Sequence, residues 1–127
     1  MKKLWRYTGW ALVFLGALHT ICFVGMSTEA LAEMFALGLF NSIGFDTGRA
    51  LAWYGGLWFG VMMILFGFFA QSWIKATARA LPRYIGWTLA AVALLGTVVQ
   101  PASGAPLVLL LGLFVVFMRP AEAKSSR

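Results

Sequence analysis

Residues Ala50 to Ile74 read ALAWYGGLWFGVMMILFGFFAQSWI, about 25 consecutive positions without an acidic, basic or histidine side chain. About 20 apolar residues in a helix cross the hydrocarbon core of a bilayer, so this stretch decides the fold class as membrane-spanning and helical. It exceeds that thickness, and tilting or emergence at the Gln71 to Ile74 end is expected. Gly56 and Gly60 form a small-xxx-small pair, and Gly67 continues the same face one heptad later. Another helix backbone can approach closely along such a seam.

The rest of the chain carries the same signature. Of its 127 residues, 61% are hydrophobic and 11% charged, whereas a soluble domain carries roughly 25% charged residues. The charges fall in short groups between apolar stretches, which gives a single transmembrane domain over residues 1–127. Four spans are expected, at about 7–26, 50–74, 84–99 and 105–118, with a tail from about 120 to 127 that is expected to be disordered. The last two spans are short, so their hairpin is expected either to sit in thinned bilayer or to stop below the outer surface. Lys2, Lys3 and Arg6 precede the first span, Lys75, Arg79 and Arg83 follow the second, and Arg119, Lys124 and Arg127 follow the fourth. The segment between spans one and two holds Glu29, Glu33 and Asp46 with Arg49 alone. The positive-inside rule then places both termini in the cytoplasm of a bacterial inner-membrane protein. The net charge of +6 is accounted for by orientation, and nucleic acid is not expected as a partner.

Lys2 and Lys3, the apolar run and Ala30-Leu31-Ala32 imitate a cleavable signal peptide. The run is long, and Trp5, Tyr7 and Trp10 resemble an interfacial anchor, so a retained helix is expected. Cys22 is the single cysteine; an intrachain disulfide is excluded, lipidation is discarded, and a core position is expected.

Between spans one and two, Ser27 and Thr28 offer capping hydroxyls. Leu31, Met34, Phe35, Gly38 and Leu39 recur at helical spacing, which predicts a short amphipathic helix over about 29–39 in the outer interface. Asp46 or Thr47 can cap the second span. Gly86 and Ala90, then Ala93 and Thr97, give the third span a small-residue face, and Pro101 to Pro106 makes a tight turn.

His19 is the one strongly polar ionisable side chain deep in a span. An unsatisfied polar group in hydrocarbon is costly, so it needs a partner. It reads either as a ligand contact, proton relay or metal ligand, or as a structural histidine bonded to a backbone carbonyl or to a hydroxyl such as Thr97 or Ser103. With one histidine in the chain, an intrachain haem or zinc site is not expected. No Asp or Glu lies within a span, against the carboxylate-driven mechanism of small multidrug exporters. Ser103-Gly104 is a weak candidate for protease-like chemistry. Glu29, Glu33, Asn41, Asp46, Arg49, Gln100 and Ser103, with Trp53 and Tyr54 beneath them, can bind a small amphiphile or simply cap, pair and anchor.

Gly16-Ala17-Leu18-His19, Arg49 with Ala52-Trp53-Tyr54 and Gly60, Leu81-Pro82-Arg83 with Gly86-Trp87, and Pro101-Ala102-Ser103-Gly104 together resemble a family of small bacterial four-helix membrane proteins known only as a domain of unknown function. The resemblance implies a four-helix inner-membrane protein and directs attention to His19, Arg49, Trp53, Pro101, Ser103 and Gly104. Ala105-Pro106 departs from the bulkier apolar residues expected after that glycine.

The sequence therefore predicts an all-α antiparallel four-helix membrane bundle with a short interfacial helix. The candidate functional residues are His19, Arg49, Trp53, Gln100 and Ser103. Gly16, Gly56, Gly60, Gly67 and Gly86 are helix-packing positions, and Pro101 and Gly104 shape the turn. No catalytic residue, metal or cofactor is assigned. The expected partners are the lipid bilayer, a lipophilic small molecule and a second copy of the chain through Gly56 and Gly60. The leading function is non-enzymatic binding of a lipophilic or amphiphilic molecule, or of a partner helix, near the outer mouth. A minimal oligomeric transporter or channel, and a membrane enzyme acting on lipid or quinone, are the alternatives.

Overall fold

The computed structural model describes residues 4–99 and 104–117. Among them every regular element is helical and no strand occurs. A 3₁₀ turn, Leu4–Tyr7, leads into α1, Thr8–Met26, and together they form a continuous run of 23 residues. Helix α2 is Thr28–Ala36. Helix α3 runs without interruption over Thr47–Thr77, 31 residues. It is α-helical over Thr47–Ala50, π-helical over Leu51–Trp58, and α-helical again over Phe59–Thr77. Helices α4, Arg83–Val99, and α5, Ala105–Phe117, complete the order. Leu4–Met26 and Thr47–Thr77 are long and apolar enough to cross a membrane, whereas α4 and α5 are shorter apolar helices.

The all-helical expectation holds, but the π-helical stretch carries no signal in the sequence pattern. The capping residues also sort differently from their chemistry. Ser27 occupies the N-cap of α2 without a side-chain cap bond. Asp46 does cap α3, its Oδ1 accepting the Arg49 amide at 2.8 Å. That bond satisfies an amide left orphaned at a helix start, and α3 begins at Thr47.

Leu12–Phe66 forms one compact unit, and Met1–Ala11 with Gly67–Arg127 the other. In the first, glycines let α1 and α3 meet at backbone distance. A β-carbon on Gly16 would lie 2.9 Å from the Gly60 carbonyl oxygen, one on Gly60 would strike the Thr20 hydroxyl, and one on Gly56 would strike the Phe23 ring. The seam at Gly56 and Gly60 is thus filled by α1 of the same chain. Along α3 the positions Gly56, Gly60, Met63, Gly67, Ala70 and Ile74 are buried, an alternating four-three spacing that keeps one stripe inward.

In the other unit, a β-carbon on Gly9 would lie 2.7 Å from the Gln71 Cα, and one on Gly86 would lie 2.9 Å from the Gly112 carbonyl oxygen. Gln71 is buried. Its Nε2 donates to the Arg6 carbonyl at 3.0 Å and its Oε1 accepts the Trp10 amide at 3.3 Å. An α-helix pairs those two backbone groups with each other. The Gln71 amide therefore bridges a rung at the junction where the 3₁₀ turn passes into α1. Trp5, expected in the aromatic anchor, is buried, while Tyr7 and Trp10 are exposed. Cys22, expected in the core, is exposed. It stands on the outward stripe with Phe14, Leu18 and Ile21, away from the small residues that face α3.

Candidate functional site

The geometry around His19 starts from the backbone of α3. In an α-helix the amide of residue i donates to the carbonyl of residue i−4, which would pair Phe59 with Gly55. At the end of the π-helical stretch the Phe59 amide is shared instead between the carbonyls of Gly56, three residues back, and Tyr54, five back. The Gly55 carbonyl is passed over. His19 Nε2 supplies the missing donor at 2.8 Å. A carbonyl can only accept, so Nε2 carries the proton in this bond. The imidazole is packed edge-on to the Phe59 ring, with centroids 5.3 Å apart, and tilted on the Phe23 ring at 5.5 Å. Of the partners open to His19 in the sequence, the backbone carbonyl is the one used. Thr97 donates back to the Ala93 carbonyl at 2.7 Å.

Arg49 is held by a different set of contacts. Its Nη1 donates to the Ser42 carbonyl at 2.8 Å, and its Nη2 pairs with the Asp46 carboxylate at 3.6 Å. The Nε is buried without a hydrogen-bond partner. The Arg49 amide, with lesser help from its guanidinium, holds the Asp46 carboxyl below the usual carboxylate range. The acceptor carbonyl comes from a loop with left-handed backbone at Gly38, Leu39, Asn41 and Gly44. Buried Ser42 ties that loop down by donating its hydroxyl to the Leu39 carbonyl at 3.0 Å. Left-handed backbone is costly for Leu. Fixing the guanidinium thus coincides with a strained turn.

Trp53 is half-buried within the π-helical stretch, and Tyr54 beside it is exposed. His19 reaches that same stretch, so the two candidates share a segment of α3. Among the described residues His19 and Arg49 share no hydrogen bond; each ends on a backbone carbonyl of its own. Gln100, Pro101 and Ser103 lie outside the described residues. Gly104 is exposed, with open space around it. Sequence reasoning missed Gly55, Ser42 and the bridging Gln71. The Gly55-Gly56 doublet was the signal available for the first, and only Gly56 of the two was read, as a packing position.

Chemically, the arrangement offers a hydrogen-bonding imidazole between two aromatic rings and a cation fixed at a helix start. Among the described residues no three His, Cys, Asp or Glu side chains gather as a metal site would require. The groups present are suited to orienting a molecule by polar contacts in apolar surroundings.

A family described as "Family of unknown function (DUF6463)" matches residues 3–122. The chain belongs to that family. The resemblance read from the sequence, to a domain of unknown function, is thereby borne out. No curated protein and no solved structure matches this family member.

Proposed function

We propose that this family member is a multi-pass protein of the bacterial inner membrane, with both termini cytoplasmic, that binds a lipophilic or amphiphilic small molecule near the outer mouth of an antiparallel four-helix bundle. The observation that carries the membrane reading is the direction in which the long helices turn their apolar side chains. In the apolar windows of Leu4–Met26 and Thr47–Thr77 only 17% and 28% of the residues are buried inside the protein. A core helix of a soluble protein hides such residues, whereas a span offers them to lipid and keeps small residues for its neighbours. Phe14, Ile21, Phe69, Val92, Leu95 and Leu110 all point outward.

Helix lengths are compatible with this reading. The run of 23 residues extends about 35 Å and the run of 31 about 46 Å, against a hydrocarbon core of about 30 Å. Helix α5, with 13 residues, reaches about 20 Å, so its hairpin with α4 sits in thinned bilayer or falls short of the outer face. Helix α2 buries Met34 and exposes Glu29 and Glu33, the pattern of a helix lying in the interface.

For the ligand, support comes from His19 among aromatic rings, from Arg49 at the start of α3, and from exposed Phe40, Phe45 and Tyr54 in the same unit. These groups suit an amphiphile with an apolar body and a polar or anionic end. Native mass spectrometry of the protein released from nanodiscs tests this. Retained small-molecule mass that falls on His19→Ala or Arg49→Ala supports the reading, and a ligand-free spectrum overturns it. For orientation, a reporter that folds only in the cytoplasm should be active after Arg127 and silent near Asp46.

A further inference from the structure

The Gly55 carbonyl is where two descriptions of α3 meet. In the π-helical register the Phe59 amide is shared between Gly56 and Tyr54, and His19 serves the Gly55 carbonyl between them. In an α-helical register the Phe59 amide would return to Gly55, and the histidine would no longer compensate a missing rung. Stretches of π-helix are rare and are mostly single-turn insertions. Here the wide turn extends over eight residues, Leu51–Trp58, and among the described residues the His19 side chain is the one placed on the Gly55 carbonyl.

We propose that His19 is a latch that holds α3 in its π-helical register, and that withdrawing its hydrogen bond lets Thr47–Trp58 rewind by one residue into an α-helix. One residue of register corresponds to about 100° of rotation and about 1.5 Å along the axis. The part that turns carries Arg49 and Trp53. Arg49 leaves the Ser42 carbonyl as it turns, so a change at a histidine within α1 becomes a change in the loop that Ser42 anchors. The Phe23 and Phe59 rings clasp the imidazole from two directions without contributing hydrogen bonds. A β-carbon built on Gly55 would have as its nearest neighbours the Leu51 side chain at 3.1 Å and the Phe23 ring at 3.9 Å, side chains rather than backbone. This device goes beyond the binding reading and holds or fails without any ligand.

The test uses the full chain in lipid bilayers. His19 is the only histidine and Gly55-Gly56 the only adjacent glycine pair. Histidine labelled with ¹⁵N and glycine labelled with ¹³C at the carbonyl and with ¹⁵N therefore report on this one contact in solid-state NMR. The wild type should show a protonated Nε2 in dipolar contact with the Gly55 carbonyl carbon; absence of that contact overturns the latch. Register is read by the distance between spin labels at Cys22 and at Thr47→Cys, both on exposed sites. His19→Phe keeps a ring but no donor, and should change the label distance by the displacement that one residue of register gives. Deleting Leu57 in the same variant removes the extra residue, absorbs that displacement and should restore the wild-type distance. A His19→Phe distance equal to the wild type overturns the proposal. His19→Gln, which keeps an N–H donor, should remain at the wild-type distance, and a shift there overturns it as well.

Discussion

Gly86 and Gly112 face each other across the α4–α5 hairpin so closely that a β-carbon on either would lie 2.9 Å from the other's carbonyl oxygen. The obstacle is backbone on both sides, so neither helix can relieve a clash by turning a side chain. Gly86→Ala or Gly112→Ala is expected to destabilise the hairpin by about 1–3 kcal/mol, the usual cost of overpacking a close contact. Gly25→Ala is the control: nothing stands within 4 Å of its β-carbon, and a helical Gly to Ala change gains about 0.5–1 kcal/mol. Thermal unfolding in detergent should move in opposite directions for the two kinds of variant.

Gln71 bridges Arg6 and Trp10, so its loss should be felt at the start of α1 rather than locally in α3. Gln71→Leu keeps the bulk but strands a carbonyl and an amide, at about 1–3 kcal/mol. Hydrogen exchange at the Trp10 amide should accelerate, whereas amides in the middle of α3 should not change. Unaltered exchange at Trp10 would contradict the bridging role. Trp10 also packs edge-on against Phe68, with centroids 5.8 Å apart, and lies under the Lys75 ammonium at 5.9 Å, so its fluorescence offers a second readout.

Asp46 is the only aspartate, and a ¹³C-labelled aspartate carboxyl gives a single signal to titrate. Its midpoint should lie below the ordinary value of 3.8. A carboxyl with a depressed folded value contributes stability that is fully present above the unfolded value and is lost as pH falls through the folded one. The start of α3 should therefore loosen only in acid below the ordinary carboxylate value. Asp46→Asn, which can still accept from the Arg49 amide, should suppress most of this acid dependence. A midpoint at or above 3.8 would contradict the capping account.

Cys22 is the sole cysteine and is exposed, so the natural chain accepts a spin label without engineering. If α1 crosses the bilayer, that label meets lipid. Collisions with dissolved oxygen should then be frequent and collisions with a charged nickel chelate rare. The reverse order would place this face of α1 in water and count against the membrane reading.

Much was legible because it depends on local chemistry alone. Hydropathy and length marked about 7–26 and 50–74 as long apolar helices, since backbone polar groups in an apolar run are best satisfied within a helix; the structure extends them to Leu4–Met26 and Thr47–Thr77. The spacing of Gly16, Gly56 and Gly60 marked positions where backbones can touch, and the Asp46 to Arg49 interval marked a cap. What was misread depends on partners that lie far away in sequence. Ser27 has the chemistry of a cap but makes no cap bond. Cys22 is small and apolar yet points outward, because Gly16 and Thr20 fix which stripe of α1 meets α3. Gln71 is a polar residue in an apolar run, and the Arg6 carbonyl of the 3₁₀ turn and the Trp10 amide of α1 satisfy its side chain in the interior.

The sequence by itself determined that this chain is helical, which stretches are apolar and long, and that His19 must find a polar partner. Only the tertiary structure decided which partner. A carbonyl is stranded when a helix changes register, and register depends on the donors that another helix brings to it. His19 meets Gly55 because α1 approaches α3 across glycines, a contact between residues 36 positions apart. Hydropathy and spacing count residues along one helix, and they carry no term for a hydrogen bond arriving from the next.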